Sequence, residues 1–198
     1  MENEKDLSPL ESLSIIRNMI EATKHSISNH SHYFLLWGYA IFIGCSIQYA
    51  LLVVGYEKHY YAWFVTLVAI VIHNIFIFRD SKKQRTVTFI EEANGQLWMG
   101  IGIAFGVLSV IFIKLGWQYC FPFYILFYAM GSFISGHLIK FKPLVIGGIV
   151  CYILAALAVF TNYPTQILIT AISILISYII PGHLLRTQYQ KAKTLSNE

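Results

Sequence analysis

Six apolar stretches, at 33–54, 61–78, 97–113, 121–139, 144–160 and 167–185, occupy most of the chain beyond residue 32. Each falls within the range of about 17–25 residues that lets a helix cross a hydrocarbon core roughly 30 Å thick. The runs are continuously apolar instead of alternating, which predicts helices and not barrel strands. In lipid a helix satisfies its own backbone hydrogen bonds, where no water can. The fold class expected is therefore all-α: a polytopic membrane protein of six transmembrane helices arranged as three hairpins. Only 12% of residues are charged, about half the fraction usual for a soluble domain.

Charge orients the spans. Lys5, Arg17 and Lys24 precede the first, Arg79, Lys82, Lys83 and Arg85 follow the second, Lys140 and Lys142 follow the fourth, and Arg186, Lys191 and Lys193 follow the sixth. The alternate loops hold only Lys58 and Lys114. Basic residues in short loops stay on the cytoplasmic face, so both termini are expected there. Juxtamembrane Lys and Arg facing anionic lipid account for the net charge of +4 without any nucleic acid. Tyr56, Tyr60, Tyr61, Trp63, Trp117, Tyr119 and Tyr163 form the expected interfacial belt at the opposite face. No cleavable signal peptide is evident, and the helix beginning near Tyr33 is expected to direct insertion.

The chain divides into a cytoplasmic segment at 1–32, a six-helix bundle at 33–185 and a cytoplasmic tail at 186–198. In the first segment Ser8, Pro9 and Glu11 make a helix start: an N-cap, a proline in the first turn and a capping-box acid. Leu10, Leu13, Ile16, Met19, Ile20, Thr23 and Ile27 then recur at helical spacing, predicting an amphipathic helix over 9–28. It lies at the lipid interface, or packs on the bundle, a protein partner or a second copy. Glu91 and Glu92 predict an early start to the third helix, with acidic side chains at its positive dipole end. Leu36-Trp37 recurs as Leu97-Trp98, and Gly136-His137-Leu138-Ile139-Lys140 as Gly182-His183-Leu184-Leu185-Arg186, which suggests repeated hairpins.

Chemistry is concentrated in the histidines. Six of seven, including His73, His137 and His183, fall on the side carrying the basic loops. If the hairpins surround an axis, these three converge into a site for a transition metal or a proton relay. Alternatively each sits at a helix C-terminus, where imidazole meets free carbonyls and the negative dipole end. No Asp, Glu, Lys or Arg lies mid-span, unlike the pattern of ion-coupled transporters. Gln48, Asn74, Ser109, Ser132, Ser135 and Ser177 either line a solute path or join helices by hydrogen bonds. Gly102 and Gly106, with Gly147-Gly148, are expected to permit close helix packing. Pro181 is expected to kink or stop the sixth helix. Cys45 and Cys151 within spans and Cys120 in a loop form no metal or disulfide framework. No hydrolase, P-loop or metalloprotease motif is present, so an enzyme is not expected.

The segment from Ser8 to Ile20, Phe34-Leu35-Leu36-Trp37-Gly38-Tyr39, the 136–148 stretch GHLIKFKPLVIGG and Ile179-Ile180-Pro181-Gly182-His183-Leu184-Leu185 resemble an uncharacterised family of small six-helix bacterial inner-membrane proteins. The resemblance covers most of the chain. It implies the bacterial cytoplasmic membrane and brings no catalytic or cofactor-binding residue with it. The functional expectation is a structural or regulatory membrane scaffold. The alternative is a small transporter or channel for a metal ion or small polar solute, using His73, His137 and His183.

Overall fold

The computed structural model describes Leu10 and residues 13–15, 31–81 and 89–195. Among them the chain is helical throughout, apart from short turns, with no strand. The helices are α1 (Ser31–Val53), α2 (Phe64–Ser81), α3 (Phe89–Leu115), α4 (Cys120–Leu138), α5 (Lys142–Ala158), α6 (Tyr163–Ile174) and α7 (Ile180–Leu195). A 3-10 turn, His59–Trp63, leads into α2, and a π-turn, Leu175–Ile179, joins α6 to α7. Five segments are long and apolar enough to cross a membrane: Ser31–Val53, His59–Arg79, Phe89–Leu115, Trp117–Leu138 and Tyr163–Gln188. The shorter α5 has 17 residues, a rise of about 25 Å. Of the amphipathic helix expected over 9–28, only Leu10, Leu13, Ser14 and Ile15 are described. All four are helical and exposed. Its capping box and the rest of its apolar stripe lie outside the described residues.

Two side-chain clusters mark the ends of the bundle. Ile139, Phe141, Leu144 and Leu185 pack with Phe34 at the end where α1 begins, here the Ser31 end. Gln48, Trp63, Phe121 and Tyr163 meet at the other. Between them the centre is filled by rings. Tyr178 lies 5.4 Å from Tyr128, 5.5 Å from Trp98 and 5.7 Å from Phe34, mostly in steep edge-on or tilted contacts. Such pairs add about 0.5–1.5 kcal/mol each beyond the area they bury.

Helices α1, α4, α5 and the α6–α7 rod form the inner bundle, with α2 packed on α1 and α3 chiefly on α4. Burial follows this order: 56% of the α4 and α6–α7 windows is buried, but only 11% of the α2 and α3 windows. The tightest pair is α4 with α5, joining what the sequence assigned to two separate hairpins. Glycine sets that closeness. A Cβ on Gly148 would sit 2.7 Å from the Phe133 nitrogen, and one on Gly136 would sit 2.7 Å from the Val145 nitrogen. Gly147 likewise faces Ser177 Cα of the π-turn at 2.9 Å. The close packing expected at Gly147-Gly148 is present.

Gly102 and Gly106 make no such close approach among the described residues of the chain, where a Cβ on either would meet nothing within 4 Å. These residues face outward because the inward face of α3 carries Trp98, Ile101, Phe105 and Phe112, which hold α4 and the central rings. Pro181 neither stops the helix nor ends it, since α7 continues to Leu195. A proline inside a helix removes one backbone donor and crowds the carbonyl four residues back. The π-turn ending at Ile179 widens the helix where that conflict falls. Cys120, expected in a loop, is the first residue of α4; like Cys45 and Cys151 it is buried with a free thiol.

Helix termini follow local chemistry. The Asn162 side chain accepts from the Thr165 N–H at 3.0 Å, with Pro164 in the first turn of α6. At the end of α1, Tyr56 N–H bonds Leu51 O at 2.9 Å and Gly55 N–H bonds Leu52 O at 3.0 Å. At the end of α4, Phe141 N–H bonds Gly136 O at 2.8 Å and Lys140 N–H bonds His137 O at 3.2 Å. Both are the paired closure that needs one left-handed residue. Gly55 supplies it at φ 79°, and Lys140 at φ 52°.

Candidate functional site

The three histidines singled out from the sequence face three different neighbours. On α2, His73 Nδ1 accepts the indole N–H of Trp37 from α1 at 3.3 Å. Indole can only donate, so Nδ1 keeps its lone pair toward Trp37 and the ring proton sits on Nε2. On α7, His183 Nε2 pairs with the Tyr39 hydroxyl of α1 at 2.8 Å. On α4, His137 Nδ1 donates to the Phe133 carbonyl one turn back at 2.9 Å, its ring 4.4 Å from that of Phe133. His73 is brought instead toward His32: Tyr33 contacts both rings, at centroid distances of 5.1 and 4.3 Å. Among the described residues, no group of three or more His, Cys, Asp or Glu side chains is placed to hold a metal ion. His25 and His30 lie outside the described residues.

Most polar side chains described within the spans bond between helices or back along their own. Gln48 is 1% exposed and uses its whole amide. Its Oε1 accepts the Trp63 indole N–H at 2.9 Å, while Nε2 donates to the Tyr163 hydroxyl at 3.0 Å and faces His59 Nδ1 at 3.2 Å. The donor-only indole fixes which amide end faces Trp63. Thus α1, the turn before α2 and α6 share one node. Trp63 and Tyr163, expected in an interfacial belt, belong to it, while Tyr56, Tyr60, Tyr61, Trp117 and Tyr119 are exposed.

A second set joins α3 to α4. Ser135 Oγ accepts from Trp98 at 3.0 Å and donates to Asn94 Oδ1 at 2.6 Å, and Ser109 Oγ meets the Tyr124 hydroxyl at 2.8 Å. Trp37→His73 and Trp98→Ser135 therefore repeat one arrangement, an early indole donating to the returning helix. Asn74 and Ser177 bond back to Ile70 and Ser173 carbonyls on their own helices. Ser132 Oγ is buried with no hydrogen-bond partner among the described residues.

One open groove of about 440 Å³ runs between α1 and α2, roofed at one end by α7. Ala40 and Ala69 are among the residues that line it, and His32, His183 and Arg186 stand at its Ser31 end. Nothing in the sequence pointed to it, because α1, α2 and α7 become neighbours only when folded. A periodicity argument sees one helix at a time. Similarly, Gln48 was visible as a polar residue in a span, but its partners His59, Trp63 and Tyr163 were not.

No family model, curated protein or solved structure matches the chain. The fold and its polar nodes define a class all the same: an all-helical bundle with five helices able to cross a membrane, tied together by hydrogen bonds between helices.

Proposed function

We propose that this chain is a structural or regulatory scaffold of a bacterial cytoplasmic membrane. In this reading six spans form three hairpins, both termini are cytoplasmic, and the short α5 is the fifth span. One observation carries it: Gln48, His73, Ser109 and Ser135, four of the polar groups available to a solute path, are each bonded to a neighbouring helix or its leading turn. Groups engaged in this way hold a bundle together.

A scaffold needs a surface for its partner. The outward face of α3 suits another transmembrane helix, because Gly95, Gly102 and Gly106 share one side of the helix and have open space above them. Small residues let two helix backbones approach closely in lipid, where dispersion and not the hydrophobic effect drives association. The exposed Leu10 and Leu13 of the amphipathic helix over 9–28 provide a second contact on the cytoplasmic side.

Crosslinking in native membranes tests this reading. The wild-type chain is expected to give a defined product, either a homo-oligomer or a complex with one partner. Gly102→Ile with Gly106→Ile, or deletion of residues 1–28, is expected to remove it. An unchanged product in both variants sinks the proposal. So does solute flux through reconstituted vesicles that disappears in a Gln48→Leu, His73→Ala variant of intact fold.

A further inference from the structure

The groove between α1 and α2 has two chemically distinct parts. Its walls are apolar along their length, with Leu35, Ile43, Val65 and Val68 among them, and the small, buried Ala40 and Ala69 line it between the helices. The basic groups lie at one end only: Arg186, His183 and His32. No acidic residue lines it among the described residues. Arg186 and His183 are both exposed and stand one turn apart on α7, so their polar ends reach the same mouth. The Tyr39 hydroxyl meets His183 Nε2 at 2.8 Å; with the hydroxyl as donor, the ring proton sits on Nδ1, which then donates to a phosphate oxygen.

The length of the apolar part matches one leaflet. From His32 to Ile43 on α1, and from Phe76 back to Val65 on α2, the groove rises roughly 16 Å at the helical 1.5 Å per residue. Half of a bilayer's hydrocarbon core is about 15 Å. A trough of this length, apolar as far as Ile43 and Val65 and basic at the other end, has the polarity of a single phospholipid molecule. Arginine and imidazole N–H groups at the mouth suit a lipid phosphate, and their positive charge favours a headgroup of net negative charge over a zwitterionic one, whose own cation they repel.

We infer that this groove is a binding site for one anionic phospholipid of the leaflet on the Ser31 side, its phosphate held by Arg186 and His183 and one acyl chain lying along Ala40 and Ala69. The site is separate from the outward face of α3, so it stands or falls independently of the scaffold reading.

Native mass spectrometry of the full chain from detergent tests it, using phosphatidylglycerol, phosphatidylcholine of the same acyl chains, and inorganic phosphate. The wild type is expected to retain one phosphatidylglycerol about tenfold more tightly than phosphatidylcholine. Arg186→Gln with His183→Gln, two exposed positions that leave the packed core untouched, is expected to abolish that preference. Ala69→Phe fills the trough and is expected to lower retention of both lipids, whereas Lys114→Gln at the far end leaves both unchanged. Equal retention of the two lipids by the wild type, or an undiminished preference in the double variant, overturns the inference. Phosphate adducts without lipid adducts overturn it as well, and so does a lipid-free dimer that Ala69→Phe abolishes, which would place a second copy in the groove. If Ala69→Phe fails to fold, the double variant alone decides.

Discussion

The Gln48 amide donates to the Tyr163 hydroxyl at 3.0 Å, joining α1 to α6 across 115 residues of sequence. Because Gln48 also accepts from Trp63 and faces His59, one side chain ties three segments at the end opposite Ser31. Hydrogen bonds between helices in lipid contribute on average about 0.6 kcal/mol each. Gln48→Leu is therefore expected to destabilise the bundle by about 2 kcal/mol, and Tyr163→Phe by about 0.6 kcal/mol. Thermal unfolding in detergent, followed by tryptophan fluorescence, checks both. Equal effects of the two variants would show that the node does not act through the Gln48 amide as a whole.

Lys140 performs at the end of α4 what Gly55 performs at the end of α1, at a steric cost that glycine avoids. Lys140→Gly is expected to stabilise the protein by about 1 kcal/mol, seen as a raised unfolding temperature. Lys140→Val is expected to lower it, since a β-branched side chain tolerates positive φ poorly. A Lys140→Gly variant that melts lower would mean that the lysine's charge or stem contributes more than its backbone strain costs.

Glycines on two helices separate intramolecular from intermolecular packing. Gly148→Ala places a methyl 2.7 Å from the Phe133 nitrogen, backbone that cannot step aside without moving α4. It is expected to cost about 2 kcal/mol, a value typical of overpacking. Gly106→Ala meets nothing within 4 Å and is expected to leave monomer stability unchanged or raised by up to about 1 kcal/mol. Unfolding curves of the two variants side by side decide the matter; loss of stability in Gly106→Ala would show that α3 is packed on that face.

His73, His137 and His183 have separate partners in Trp37, the Phe133 carbonyl and Tyr39. Replacing all three with alanine is therefore expected to leave metal content, by elemental mass spectrometry on protein without a histidine tag, the same as in the wild type. Trp37 fluorescence is expected to change, because its N–H loses the His73 acceptor. Stoichiometric metal in the wild type that the variant lacks would revive the transporter reading.

The all-helical class and the positions of the membrane-length helices were legible in the chain, as was the early start of α3 at the Glu91-Glu92 turn. Long apolar runs and helix-start residues act within a few turns of one helix, so linear spacing records them. The stop considered at Pro181 is absent because its backbone conflict falls on the π-turn before it, a register change with no residue signature. Gly102 and Gly106 were legible as small residues but not as outward-facing ones. Which side of α3 meets α4 depends on Trp98 and Phe105 finding Ser135, Tyr124 and Tyr128.

What the sequence by itself determined is that these segments are helices and which of them are long and apolar enough for a bilayer. Helix formation and transfer into lipid are sums over local groups, and a linear sequence carries such sums in full. Only the tertiary structure decided that α4 and α5 make the closest pair, that the histidines go to separate neighbours, and that α1, α2 and α7 enclose a basic-mouthed groove. In lipid every helix is apolar nearly all round, so hydrophobic patterning does not choose neighbours. Shape at glycines and a few hydrogen bonds make that choice, and both exist only between helices already side by side.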